Sequence, residues 1–233
     1  MQTGIAVVVS LLATCAAVAG GIPDSLIYGQ NPLAQRGYES SVFPGAASPS
    51  VRIADSVNGG LGLPLPSRVF RIDWWGGASQ DPGFDLSNIE SFNIRAYSLF
   101  GGGIFYEDTI AVGALDVELE FENAGSSAPA IYRYSYQSNQ GRLFNGGELE
   151  YISIAANYAD GSFGAARFLW AQSSEGDIEL LSSENGGEFL PLTVQNPNVA
   201  YALYGAIPTP GAFALLGLAG LTAARRRRST PAL

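Results

Sequence analysis

The chain has 233 residues, a formal net charge of −9, no histidine, no lysine and a single cysteine, Cys15. These absences exclude a Ser-His-Asp triad, histidine-ligated zinc, a Walker A phosphate loop and lysine Schiff-base chemistry. Carboxylates, arginine, tyrosine and bound calcium remain, so a glycan hydrolase built on two carboxyl groups survives the composition, although no pair is marked out.

The first elements are apolar. Ile5 to Ala19 is a run of small and branched residues ending in Ala17-Val18-Ala19, an A-x-A cleavage pattern, which predicts a signal peptide over residues 1–19. Met1 to Gly4 carries no basic side chain, and Leu12-Ala13-Thr14-Cys15 offers a lipoprotein signal as the alternative. Removal of the leader takes Cys15 with it and leaves a mature chain without thiols or disulfides. Residues 20–205 are then expected to form one domain, large enough to bury its own core. They hold eight arginines against twenty-one acids, a balance of −13 that repels nucleic acid and favours solubility.

Residues 20–66 are rich in Gly, Pro, Ser and Asn and read as short strands between loops, with Asn58-Gly59-Gly60 as a turn. Arg68 to Trp75 alternates, which places Phe70, Ile72 and Trp74 on one face and Val69, Arg71, Asp73 and Trp75 on the other. Ser91 to Tyr97 sends Phe92, Ile94 and Ala96 inward and Asn93, Arg95 and Tyr97 outward. In Leu115 to Glu122, Leu115, Val117, Leu119 and Phe121 oppose Asp116, Glu118, Glu120 and Glu122. Further strands are predicted at 131–137, 149–157, 166–171, 178–181 and 199–205, with turns at Asn145-Gly146-Gly147, Asp160-Gly161 and Asn185-Gly186-Gly187. No segment sustains a helical period with caps. Nine or ten short strands predict an all-β fold, an antiparallel β-sandwich of jelly-roll type.

Two sets of residues raise a ligand question. Tyr132, Tyr134 and Tyr136 lie at period two: exposed, they would stack sugar rings; buried, they are sandwich packing. Trp75 faces away from Trp74 and is either a stacking residue or the cover of an edge or second core. The acidic row Asp116, Glu118, Glu120 and Glu122 reads as a solvated face, because side chains two apart on a flat strand stand nearly 7 Å apart. Calcium is better suited to the loop clusters Asp81 to Asp85 and Asn157 to Asp160, neither with EF-hand spacing, and no cofactor is expected otherwise.

The last stretch has three parts. Pro208-Thr209-Pro210 is followed by an uncharged apolar run, Gly211 to Ala224, and by Arg225, Arg226, Arg227 and Arg228, with residues 229–233 as a disordered end. As a helix, the fourteen residues of the run would span about 21 Å. A bilayer core of about 30 Å needs the helix extended back through the prolines. The arginines would stay cytoplasmic and the domain would face away from the cytoplasm. A plain C-terminal anchor and a buried terminal helix are the alternatives.

This tail, residues 206–228, closely resembles the PEP-CTERM sorting signal of Gram-negative-type bacteria. Pro208 and Pro210 match that signal's prolines, Arg225 to Arg228 match its basic end, and Thr209 stands where the family usually has glutamate. The resemblance implies an exosortase-type membrane protease as partner, membrane contact through the C-terminal helix, an inner-membrane intermediate, and delivery to the cell surface or an extracellular polysaccharide matrix. Asp73-Trp74-Trp75-Gly76-Gly77, Phe168-Leu169-Trp170 and Ala200 to Gly205 also look like the exported cargo domains that carry such tails. The expected function is a non-enzymatic structural or adhesive protein, with an exopolysaccharide-binding module as the alternative and no nucleic-acid partner.

Overall fold

The computed structural model describes residues 25–34, 37–43, 50–57, 67–78, 88–98, 103–122, 130–144, 150–159, 167–176, 180–192 and 198–206. The segments expected as signal peptide and sorting tail, the Asp81 to Asp85 cluster and the expected turns at 58–60, 145–147 and 160–161 lie outside them. Sixteen strands are found among the described residues, with a 3-10 turn at Val112–Ala114. In chain order they are β1 (Ser25–Gln30), β2 (Tyr38–Glu39), β3 (Ser41–Val42), β4 (Val51–Ser56), β5 (Ser67–Ala78), β6 (Ile89–Ser98), β7 (Ile104–Ala111) and β8 (Asp116–Phe121). There follow β9 (Ile131–Phe144), β10 (Glu150–Tyr158), β11 (Phe168–Trp170), β12 (Gln172–Ser173), β13 (Leu180–Glu184), β14 (Leu190–Pro191), β15 (Asn198–Val199) and β16 (Tyr201–Ala206).

They build two seven-stranded sheets and a small β12–β15 ladder. The second sheet runs β14-β13-β4-β10-β6-β7, with β3 wedged between β4 and one end of β10 and parallel to β10. The first is centred on β5, which pairs with β9, and β9 in turn with β8. The other edge of β5 is shared. Its residues 68–74 pair with β16, and its residues 76–78 pair with β11. The fork is at Trp75, whose N–H donates to Ala200 and whose carbonyl accepts from Ala171. Both groups of one strand residue point to the same side, so two strands leave β5 there together and continue as the β12–β15 ladder. Gly76 and Gly77 permit this crowding: a Cβ on Gly77 would stand 2.1 Å from the Ala130 carbonyl oxygen, and one on Gly76 2.4 Å from the Phe168 ring.

The sheets face each other across one apolar core. Trp74, Tyr134, Tyr201 and Leu203 of the first meet Phe92, Ile94, Ala96, Ile152, Ile154 and Tyr158 of the second, all buried. Its centre is aromatic: Trp74 stacks on Tyr134 at 5.6 Å, and Phe92 meets the edges of Trp74 at 5.3 Å and Phe168 at 5.1 Å. The Trp170 indole donates to the Ala200 carbonyl at 2.8 Å beside the first sheet, and the Tyr201 hydroxyl donates to the Ser56 carbonyl at 2.7 Å, tying the two sheets together. The all-β sandwich expected from the strand pattern is the architecture present.

Two expected alternations are broken by β-bulges. Val69, expected opposite Ile72 and Trp74, is in the core with them, and Phe70 is only half-buried. Both neighbours of β5 shift register between Val69 and Arg71, so the extra residue at Phe70 reverses the faces. In β8 the register shifts between Leu119 and Phe121. Leu119 is left 50% exposed, and Phe121 packs on the outer face of the sheet beside Trp75. The turn at Asn185-Gly186-Gly187 is present and joins β13 to β14. Asn185 has φ 52° and Gly186 φ 75°, and the Gly187 N–H donates to the Glu184 carbonyl at 2.9 Å. These are the features of the primed hairpin turn that Asn-Gly favours. Strand β7 had no counterpart among the expected strands.

Candidate functional site

Each sheet has a depression on its outer face. The one on the first sheet, about 380 Å³, is lined by Arg71, Asp73, Asp116, Glu118, Arg133 and Ser135 among others. Both of its arginines are paired within the sheet. Asp73, buried, accepts from the Ser135 hydroxyl at 2.6 Å and pairs with Arg71 at 3.2 Å, while Arg133 pairs with Glu118 across β8 and β9. The Arg71 guanidinium also lies over the Tyr204 ring, 3.7 Å from its centre. Paired in this way, the carboxylates hold structure.

The tyrosines singled out from the sequence do not form a surface platform. Tyr134 has no solvent exposure, and Tyr132 and Tyr136 are half-buried against the same core, because β9 turns this face toward the second sheet. The Tyr136 hydroxyl donates to Asp108 at 3.0 Å across the gap between sheets. Trp75, 8% exposed, is covered by Ile131, Ala171, Ala200 and Ala202 with Phe121 and Tyr204 beside it, which makes it the middle of a small second core rather than a stacking face. The acidic residues Asp116, Glu118, Glu120 and Glu122 are exposed, as a solvated row should be. Asn157 donates to the Ser91 hydroxyl at 3.0 Å, and Asp160 lies outside the described residues. Among the described residues no three acidic, histidine or cysteine side chains gather as a metal site. No helix among them is long and apolar enough to cross a membrane.

The depression on the second sheet is of another kind. It encloses about 360 Å³ and crosses the outer face from β13 to β7, over Leu181, Ser183, Arg52, Ala54, Tyr151, Arg95, Tyr97 and Ile104. Gly186, Gly187, Glu188 and Phe189, carried over the face by the hairpin turn, form its rim. Four strand spacings at about 4.8 Å give it a length of about 19 Å. The alternation of β4 explains why Arg52 is there: Ile53 points into the core, so Arg52 and Ala54 take the outer face. Tyr97 and Phe189 make an apolar wall, their rings edge to face with centroids 5.1 Å apart.

Two arginines share this groove and only one is neutralised. Arg95 contacts Glu107 through Nε at 2.8 Å and Nη2 at 2.7 Å, and Asn93 donates to the same carboxylate at 3.0 Å. Those contacts hold the Glu107 carboxyl below its usual range. Arg52 is 9% exposed, and its Nη1 has no hydrogen-bond partner among the described residues. Burial, and next the charge of Arg95, bring its pKa down to about 10. Two neighbouring buried polar atoms of the second sheet, Ser153 Oγ and Asn93 Oδ1, are likewise without partners among the described residues. Sequence reasoning had placed Arg95 and Tyr97 outward on β6 without connecting them to Arg52 or Phe189, which β4 and the β13–β14 hairpin bring in from 43 and 94 residues away in the chain. No protein-family model matches the chain, and no curated protein matches it in sequence.

Proposed function

We propose that the protein is an exported, non-enzymatic β-sandwich, delivered by its C-terminal tail to the cell surface or extracellular matrix, where it serves structure or adhesion. The observation that carries this reading is the tail itself: a Pro-Thr-Pro hinge, an apolar run and four arginines, in that order, directly after the strand that closes the first sheet. Strand β16 ends at Ala206, so cleavage near Pro208 would leave every strand contact of the sandwich in place. A strongly acidic chain without histidine or lysine suits a structural role. The jelly-roll-like form of the sandwich belongs to the same proposal, supported by the pairing of the first described strand with the last and by chain crossings between sheets.

The test is the intact mass of the protein recovered from extracellular and membrane fractions of the native cell. A species beginning near Gly20 and ending between Pro208 and Gly211 is expected. A mass that retains Arg225 to Arg228 would overturn processing by an exosortase-type protease and make the tail a permanent anchor.

A further inference from the structure

A buried arginine without a carboxylate partner is an expensive thing for a fold to keep. Removing a guanidinium from water is costly unless its charge and its N–H groups are answered. Four other described arginines are answered: Arg71 by Asp73, Arg95 by Glu107, Arg133 by Glu118 and Arg167 by Glu39. Arg52 is more buried than any of them and forms no such pair among the described residues, the charge of Glu107 being the last of the influences on it. It also feels the like charge of Arg95.

The place where it sits can supply the missing anion. Arg52 and Arg95 line one groove, so an anion lying in it would offset the charge of Arg52 and the repulsion from Arg95. A planar carboxylate matches the donor fork of arginine. The remainder of the lining asks for more than a simple anion. Phe189, half-buried over the buried Tyr97, offers an apolar face of the kind that packs on a sugar ring, and Ser183 and Glu188 offer groups that can bond hydroxyls. The length of the trough suits a chain of rings, and the strongly acidic surface around it disfavours a densely charged polyanion.

We propose that the outer face of the second sheet is a binding groove for an acidic saccharide with isolated carboxylates, in which Arg52 takes the carboxylate of a uronate ring and Phe189 takes the ring face. Glycan recognition is thereby placed on the sheet opposite to the one that holds Trp75 and the three tyrosines of β9. The sorting reading is not required for it, and the mass measurement above can fail without touching it.

The experiment titrates the full-length protein with sodium glucuronate, glucose and acetate, followed by calorimetry and by the chemical shifts of the arginine side chains. Glucuronate is expected to bind at least tenfold more tightly than either control and to shift the Arg52 guanidinium signals. Arg52→Met removes the charge while keeping the stem, and should abolish the preference with the melting temperature unchanged or raised. Phe189→Ala, on the rim, should weaken glucuronate tenfold without disturbing the core. Failure of glucuronate to bind would overturn the proposal, as would equal binding of glucose, equal binding of acetate, or unchanged binding in both variants.

Discussion

Tyr134 carries its ring between Trp74 and Phe168 in the middle of the core, yet its hydroxyl has no hydrogen-bond partner among the described residues. An unanswered buried hydroxyl costs stability, whereas its ring supplies much of the core contact. Tyr134→Phe is therefore expected to stabilise the domain by about 1 kcal/mol and Tyr134→Ala to destabilise it by about 3–5 kcal/mol, as read from urea unfolding. Burial raises the Tyr134 pKa well above that of free tyrosine, and burial first of all pushes Tyr158 up to about 12. The folded state thus keeps protons that the unfolded chain gives up. Stability is full below about pH 10 and falls above it, by about 1.4 kcal/mol per pH unit for each such tyrosine until its folded pKa is reached. Tyr134→Phe should flatten that alkaline slope; an unchanged slope would mean that the hydroxyl is not buried in solution. At this scale the sequence was ambiguous for a definite reason. Period two put the three tyrosines on one face, and only the second sheet, contributed by other parts of the chain, decides that the face is the inner one. The cover over Trp75 comes from Ala171 and Ala200, about a hundred residues away.

At the scale of elements, the clean alternation of β6 was legible because both of its neighbours keep register along most of its length. The alternations of β5 and β8 were legible only as far as their bulges. Whether Phe70 or Glu120 is an extra residue depends on what the partner strand does opposite it, and a single strand's pattern does not contain that. The Asn185-Gly186 hairpin could be read directly, since its backbone requirement is local. Two glycine substitutions separate local from long-range causes. In Gly186→Ala the new Cβ meets nothing within 4 Å, so only the positive φ is penalised, and the cost should be about 1 kcal/mol. In Gly77→Ala the Cβ collides with backbone, and the loss should reach about 3 kcal/mol or more. Equal costs in thermal unfolding would contradict the close approach of the Ala130 backbone to Gly77. The groove went unread for the same physical reason as the bulges. Arg52 and Phe189 become neighbours of Arg95 only through the pairing of β13 with β4 and of β4 with β10.

For the whole molecule, the described strands end at Ala206, and β16 lies between β1 and β5 inside its sheet. A chain stopped after Ala206 is expected to melt within about 2 °C of the full-length protein. One stopped after Ala200 should fail to show a cooperative transition, because both β1 and one edge of β5 lose their partner and the Tyr201 and Leu203 side chains leave the core. Circular dichroism on the two truncations checks this, and cooperative melting of the shorter chain would contradict the central position of β16.

The pairing of Ser25 with Gly205 and of Gln30 with Tyr201 also sets an order in time. A ribosome delivers β1 first and β16 last, so the earliest strand must wait, unpaired, for almost the whole domain to be made. Closing so long a loop is entropically costly, and chains dominated by such distant contacts fold slowly. Completion of the first sheet thus waits for β16, whereas the strands of the second sheet are all made before it.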